Sequence, residues 1–401
     1  MESATSPGES TRAVHPPAAP RPEQTPVGLP VYRTAAWRFH DAQEYHELLS
    51  GERSGYSYSR VDNPTTDAFA QAVAALEGVN VDVEVAAQPF ASGMAAISTV
   101  LMTLTRSGAH VVAPREVYGG TYGLLTTVLD RFGVAADFVD LTDLEAVRAA
   151  IRPETTVLWA ETLSNPTMSV ADLPGLAAIS REAGLTFVVD STFASPAVCR
   201  PLEHGVDVVV HSATKYLGGH SDATGGVAVG SPELMARVRH DRIDLGGMLA
   251  PDEAFLLHRG LATLPLRMER HCAGALAVAT ALAEHPRVTR IDYPGLPTHR
   301  DHALAGKLFD TGRYGAIVTV TPEGGREAGL ALCDRLRLVS IATSLAGTSS
   351  KVSHVATTTH RQLDDAALAA AGIDPGAVRI SVGLEDPDDL VADLEQALDA
   401  L

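Results

Sequence analysis

Cysteine is scarce in this 401-residue chain: Cys199, Cys272 and Cys333 are odd in number and far apart. That pattern excludes a disulfide framework and a zinc-ligand motif, and it points to a reducing cytoplasm. No dense Lys/Arg run occurs, and the formal net charge is −18. Such a balance repels phosphate backbones and anionic lipid, so neither nucleic acid nor a membrane is expected as a partner. The chain has no apolar run long enough to span a bilayer, and its N-terminus lacks the charged start and apolar core of a signal peptide. It also lacks a G-x-G-x-x-G turn after a strand and a G-x-x-x-x-G-K-[ST] loop, which leaves dinucleotide and P-loop readings without support. No internal repeat is present.

What is there reads as an ordinary globular protein, 45% hydrophobic and 20% charged. A chain of this length buries a large core, with one large domain and a smaller companion as the natural arrangement. Residues 1–28 are rich in Pro, Ser, Ala and Thr and read as a disordered extension. Residues 29–64 read as an N-terminal arm, 65–262 as the large domain and 263–401 as the C-terminal domain. From Thr65 onward, short β-branched runs alternate with helical periodicity. Helices are expected near 66–76, 93–105, 120–131 and 174–183. Strands are expected at His110–Ala113, Val157–Ala160, Thr186–Asp190 and Val206–His211. Continuous apolar strands between helices predict an α/β fold with a mainly parallel sheet covered on both faces. Beyond residue 245, helices at 252–261 and 266–284 precede strands at Ile317–Val320 and Val378–Val382 and an acidic last helix.

In open α/β sheets, ligands bind beyond the carboxyl ends of the strands. Asp190 closes one expected strand, and His211, Ser212, Thr214 and Lys215 follow another. Ser92-Gly93-Met94 opens a helix whose unpaired N–H groups favour a phosphate. Singly, each feature has an ordinary reading: a turn acid, a solvated lysine, a plain helix start. Together they supply an amine for an imine, a carboxylate for a pyridinium nitrogen and a phosphate cradle, the needs of pyridoxal phosphate. His299 and His302 are two metal-type ligands without a third, so a solvated turn is the better reading.

The motifs extend this. Tyr58-Ser-Arg60, Ser92-Gly-Met, Tyr118-Gly-Gly-Thr121, Glu161-Thr-Leu-Ser-Asn-Pro166, Val189-Asp-Ser-Thr-Phe193, His211 to Asp222 and Arg379 to Asp386 follow in order. From about Tyr56 to the C-terminus the chain resembles the pyridoxal-phosphate enzymes of cysteine and methionine metabolism. These include cystathionine γ-synthases and γ-lyases, methionine γ-lyases and acylhomoserine sulfhydrylases, with the aspartate-aminotransferase-like fold (fold type I). The resemblance implies that Lys215 carries the cofactor and shuttles protons, and that Asp190 holds the ring nitrogen protonated. It implies that Tyr118 stacks on the ring and takes part in proton transfer. Gly93, Met94, Ser212 and Thr214 would bind the phosphate. Tyr58 and Arg60 would reach it from a neighbouring subunit, in a homotetramer built as a dimer of dimers with shared active sites. Arg379 would clamp the α-carboxylate of a small amino-acid substrate, assisted by Asn165 and Ser344. Read without the family, Arg379 could instead pair with Glu385 or Asp386, and Tyr118 could be a core aromatic.

Departures from the family pattern bear on the reaction. Thr343 and Ser349 stand where cystathionine-handling members carry Glu, so a distal ammonium group would go unpaired. Gly120 replaces the Cys usual in methionine γ-lyases, and Ser191 replaces a frequent Asn. The expectation is a specialised γ-eliminating lyase, which could release halide from an unsaturated chloro-amino acid. A γ-replacing transferase is the alternative, and a non-catalytic protein of this fold is the second alternative.

Overall fold

The computed structural model describes residues 8–17, 23–361 and 364–401. The expected extension 1–28 lies partly outside the described residues; within it, Glu9–Val14 is a short helix with no buried residue.

From Val31 onward the chain is one unit built around two sheets. Strands β1 (Ala86–Phe90), β2 (His110–Pro114), β3 (Ala135–Val139), β4 (Thr155–Glu161), β5 (Thr186–Asp190), β6 (Val208–Ser212) and β7 (Gly226–Gly230) form the larger one. Their order is β1-β7-β6-β5-β4-β2-β3, and only β7 runs antiparallel to its neighbours. The central strands bury both faces, so alternate residues serve different layers. Val208 and Val210 pack with Trp159, Val188 and the helix Gly93–Leu104. Val209 packs with Phe187, Val189 and the helix Leu173–Ala183 on the opposite side. Each such side chain contributes about 1.5–3 kcal/mol by leaving water. This is why β5 and β6 read as unbroken apolar runs rather than alternating ones.

Three strands of this sheet escaped the sequence pattern. β1 carries Pro89 and pairs only with β7, as a proline-bearing strand at a sheet edge can. β3 is the half-exposed opposite edge. β7 begins with Gly226, where an added Cβ would lie 2.2 Å from the Ser92 carbonyl oxygen. The helix expected near 120–131 is also different. A short helical turn at Gly119–Gly123 passes into a π-helix at Leu124–Leu129 and a 3₁₀ turn at Asp130–Phe132. Buried Leu124 and Leu129 are five residues apart, the spacing that a π turn brings onto one face.

The second sheet comprises β8 (Val288–Asp292), β9 (Ile317–Pro322), β10 (Ser340–Ile341), β11 (Lys351–His354) and β12 (Val378–Ser381). Its order is β10-β11-β12-β9-β8, antiparallel except for the β10–β11 pair. The helix Pro251–Leu261 packs on the helix Pro64–Glu77, whereas Leu264–Ala283 packs on the C-terminal helix Pro387–Asp399.

Candidate active site

The carboxyl ends of β1, β2, β4, β5 and β6 open on one edge of the large sheet, facing the small sheet across a cleft of about 1290 Å³. Each end delivers polar groups. After β1, Ser92 caps the helix Gly93–Leu104 by accepting the Ala95 N–H at 3.1 Å. Gly93 lies so close to Ser212 that a Cβ would meet the serine Cβ at 2.7 Å and Oγ at 2.9 Å. A free helix N-terminus and a serine hydroxyl thus share one small cradle, a good match for a dianionic phosphate. Met94 lines the same cleft. Thr214 lines it too, and its hydroxyl is tied to Gly225, accepting that residue's N–H at 3.1 Å.

β4 and β5 end in acids. Glu161 and Asp190 are register partners in a parallel pair, so both carboxyls leave the sheet on the same face. Asp190 Oδ1 accepts the Thr192 N–H at 2.9 Å, and Thr192 Oγ1 accepts the Ser212 N–H at 2.8 Å, which links β5 to the phosphate cradle. Burial raises the Asp190 pKa against the lowering effect of its Thr192 bonds. Glu161 Oε1 accepts the Tyr118 N–H at 2.6 Å. The Tyr118 ring is 47% exposed and faces the cleft, so it is not a core aromatic. It passes beside Gly120, where a Cβ would stand 2.5 Å from the ring.

The third group is cationic. Lys215 Nζ donates to Ser344 Oγ at 2.7 Å. Burial, with Arg379 and Lys351 nearby, lowers the Lys215 pKa to about 8. Arg379 is 5% exposed and donates to Asn165 Oδ1 and to the Ser344 carbonyl oxygen, each at 3.2 Å. Its Nε has no partner among the described residues, and burial lowers its pKa to about 10. Arg379 does not pair with the acids that follow it: Glu385 accepts from Ser350 and Asp386 accepts from Arg270. Lys351 and Ser353 on β11 oppose Ser381 and Arg379 on β12, so Lys351 shares the face of Arg379. Its ammonium donates to Ser221 Oγ at 2.7 Å.

The loop joining these groups is held in an unusual conformation. Ser344 and Ala346 have φ of 75° and 66°, a left-handed backbone costing roughly 1–2 kcal/mol for a residue with a Cβ. Thr343, just before it, is exposed and lines the cleft. Tyr58 and Arg60 do not line the cleft of their own chain. Arg60 lies 5.8 Å from the Tyr58 ring centroid and donates to the Ile243 carbonyl oxygen at 2.7 Å. His302 donates from Nδ1 to the Pro294 carbonyl oxygen at 2.7 Å and stacks on Tyr314. Ser191 is buried and accepts from the Thr162 hydroxyl at 2.9 Å.

The family model for Cys/Met metabolism PLP-dependent enzymes matches residues 10–399. The chain belongs to this family. It is 42% identical to the L-methionine γ-lyase of Pseudomonas putida, with 98% of each chain covered. It is 41% identical to the cystathionine γ-synthase of Mycobacterium tuberculosis, covering 98% of this chain and 97% of that one. A solved Campylobacter jejuni structure, assigned as an O-acetylhomoserine (thiol)-lyase, superposes with a TM-score of 0.89 at 32% identity. The match covers 95% of this chain and 97% of that one, which carries N'-pyridoxyl-lysine-5'-monophosphate.

This member of the Cys/Met metabolism family is thus a pyridoxal-phosphate enzyme of fold type I. Its own residues fit that cofactor on three counts: a half-buried lysine bonded, among the described residues, only to a hydroxyl; a strand-end acid without an ion pair among the described residues; and a helix N-terminus packed against a serine hydroxyl. Sequence reasoning missed Thr192 and the part played by Glu161. Glu161 is the last residue of its strand, as Asp190 is of the next, but their adjacency depends on strand pairing.

Proposed function

We propose that this enzyme catalyses γ-elimination on a small γ-substituted L-amino acid. The observation that supports it most is the convergence of Lys215, Ser344 and Arg379. The base that must reach both Cα and Cβ stands beside the group suited to grip the α-carboxylate.

Pyridoxal phosphate, when bound, acts as an electron sink for the substrate α-carbon. The chain's residues do the rest. Arg379, preorganised by Asn165 and the Ser344 carbonyl, holds the α-carboxylate through paired N–H donors. Lys215 Nζ would take the Cα proton, hand that proton on so that its lone pair is free again, and only then take a Cβ proton, after which the γ-substituent leaves with its bonding pair. A lysine with a lowered pKa is partly unprotonated near neutral pH and suits both transfers. Asp190 keeps the ring nitrogen protonated. Tyr118 covers the ring, and Gly93, Met94, Ser212 and Thr214 hold the phosphate. The Ser344 hydroxyl steadies Lys215 between transfers, and Thr343 borders the γ-substituent.

Assembly belongs to the same reading. Tyr58 and Arg60, absent from their own cleft, complete a neighbour's phosphate site in a homotetramer built as a dimer of dimers. The arm 29–64 brings them there, and the division at 262/263 separates the large domain from the C-terminal one. Three free, buried cysteines accord with a cytoplasmic setting.

A distal ammonium would meet no carboxylate at Thr343 or Ser349 and would face the positive charge of Lys351, which favours smaller, uncharged or anionic γ-groups. Halide leaving an unsaturated chloro-amino acid is one such case. Incubation of the enzyme with methionine, an O-acylhomoserine and an unsaturated 4-chloro amino acid, each with and without sulfide, tests the reading. Leaving-group release without sulfide is expected. Product formed only with sulfide would move the assignment to γ-replacement, the alternative that relatives named synthase and sulfhydrylase keep in view.

A further inference from the structure

We propose that Glu161 is a positioning residue: it fixes the Tyr118 ring over the cofactor, and it does so as a neutral acid, leaving Asp190 the only charged carboxyl at the ring nitrogen. The inference rests on the cofactor assignments above and concerns a residue those assignments leave idle.

Three observations carry it. Glu161 is 9% exposed, and its Oε1 accepts the backbone N–H of Tyr118 at 2.6 Å. That bond pins the residue whose ring sweeps past Gly120, where no side chain would fit without displacing the ring. Second, Glu161 and Asp190 stand in register on adjacent parallel strands, so two carboxyls crowd one sheet edge. Third, no Lys, Arg or His forms an ion pair with either acid among the described residues.

Burial raises the pKa of both acids, and the groups around them favour Glu161 as the one that keeps a proton. Asp190 faces it from β5 and Glu116 from the segment after β2, both adding negative potential. The imidazole on β6, His211, is bonded to Glu77 at 2.7 Å and acts on Asp190 rather than on Glu161. Burial first, and Asp190 second, raise the Glu161 pKa well above the carboxyl range, outweighing the Tyr118 N–H bond, which lowers it. Two adjacent buried acids do not both ionise when one can hold the proton. A protonated Glu161 still offers a carbonyl oxygen to Tyr118, so positioning survives while the second charge is removed. Asp190 is left with a cationic ring nitrogen as its natural counter-ion.

Glu161→Gln preserves the acceptor and the neutral state, whereas Glu161→Ala removes both and Glu161→Asp shortens the arm. For Glu161→Gln, cofactor dissociation constant, visible circular dichroism of the bound cofactor and kcat between pH 6 and 8 are expected within about twofold of wild type. Glu161→Ala and Glu161→Asp are expected to change the dichroism and lower kcat by roughly ten- to a hundredfold, the scale of a misplaced group, with KM nearly unchanged. An infrared difference spectrum, wild type minus Glu161→Gln, should show a protonated-carboxyl stretch in both apoprotein and holoenzyme at neutral pH. The proposal is overturned if only carboxylate bands appear, or if Glu161→Gln fails wherever Glu161→Asp works. Intact dichroism in Glu161→Ala would overturn it equally. A wild-type protein that never binds pyridoxal phosphate would instead defeat the cofactor assignments, and the apoprotein infrared band would still report on Glu161.

Discussion

Arg379→Met separates a substrate clamp from a structural ion. In the structure the guanidinium is 5% exposed, with Nε unpartnered, two donors on neutral oxygens, and no carboxylate in ion-pair range among the described residues. A hydrogen bond to a charged group contributes about 1.5–3 kcal/mol, so a two-pronged grip on a substrate carboxylate supplies about 3–6 kcal/mol. At about 1.4 kcal/mol per factor of ten, kcat/KM should fall roughly 10²- to 10⁴-fold. Folding stability should behave differently. Methionine relieves the burial of an uncompensated charge, a penalty of several kcal/mol. Against this, Asn165 Oδ1 and the Ser344 carbonyl lose their donor, at about 1–3 kcal/mol each. The terms oppose, so the apoprotein should change by less than about 2 kcal/mol in either direction. Urea unfolding of the apoprotein and steady-state kinetics of the holoenzyme read the two effects. A variant that unfolds while wild type is stable would make Arg379 a structural residue. A stable variant with less than tenfold loss in kcat/KM would refute the clamp.

The remaining predictions concern charge, assembly and packing. Lys351→Met removes a positive charge that lowers the Lys215 pKa, so that pKa should rise above about 8 and the acid limb of the kcat profile should move to higher pH. An unmoved limb would show that Lys351 does not act on the base. Lys215→Ala should lose the visible absorption of covalently held cofactor, and Arg60→Ala should lose cofactor retention. Mixing the two inactive proteins under subunit exchange should restore activity, because some sites then combine an intact Lys215 with an intact Arg60 from the neighbour; no recovery would place Arg60 in its own chain's site. Gly93→Ala drives a methyl to within 2.7 Å of Ser212 and should weaken pyridoxal-phosphate binding at least tenfold, by titration of the apoprotein. Unchanged affinity would remove the helix start Gly93 from the phosphate cradle.

The sequence determined the central part of this protein directly. Doubly buried strands must be apolar along their length, so β4, β5 and β6 stand out, and the polar residues that end them mark the ligand edge. The motif around Lys215 and the acid at Asp190 were legible for that reason. Edge strands were not: Pro89 in β1 and the half-exposed β3 carry no such run, because an edge relaxes the demand for side-chain burial, and the buried interior strand β7 offers only a short apolar stretch between closely approached Gly226 and Gly230. Tertiary structure decided what pairing and long-range packing decide. It set Glu161 beside Asp190 although 28 residues of chain separate them, and it placed Lys351 on the face of Arg379 through the β11–β12 register. It also tied Arg379 to Asn165, 214 positions away in sequence, rather than to its acidic neighbours Glu385 and Asp386. A chain states locally which residues are polar or apolar. Which two of them share a low-dielectric space, and so which one keeps its proton or its charge, is fixed only once the strands have paired.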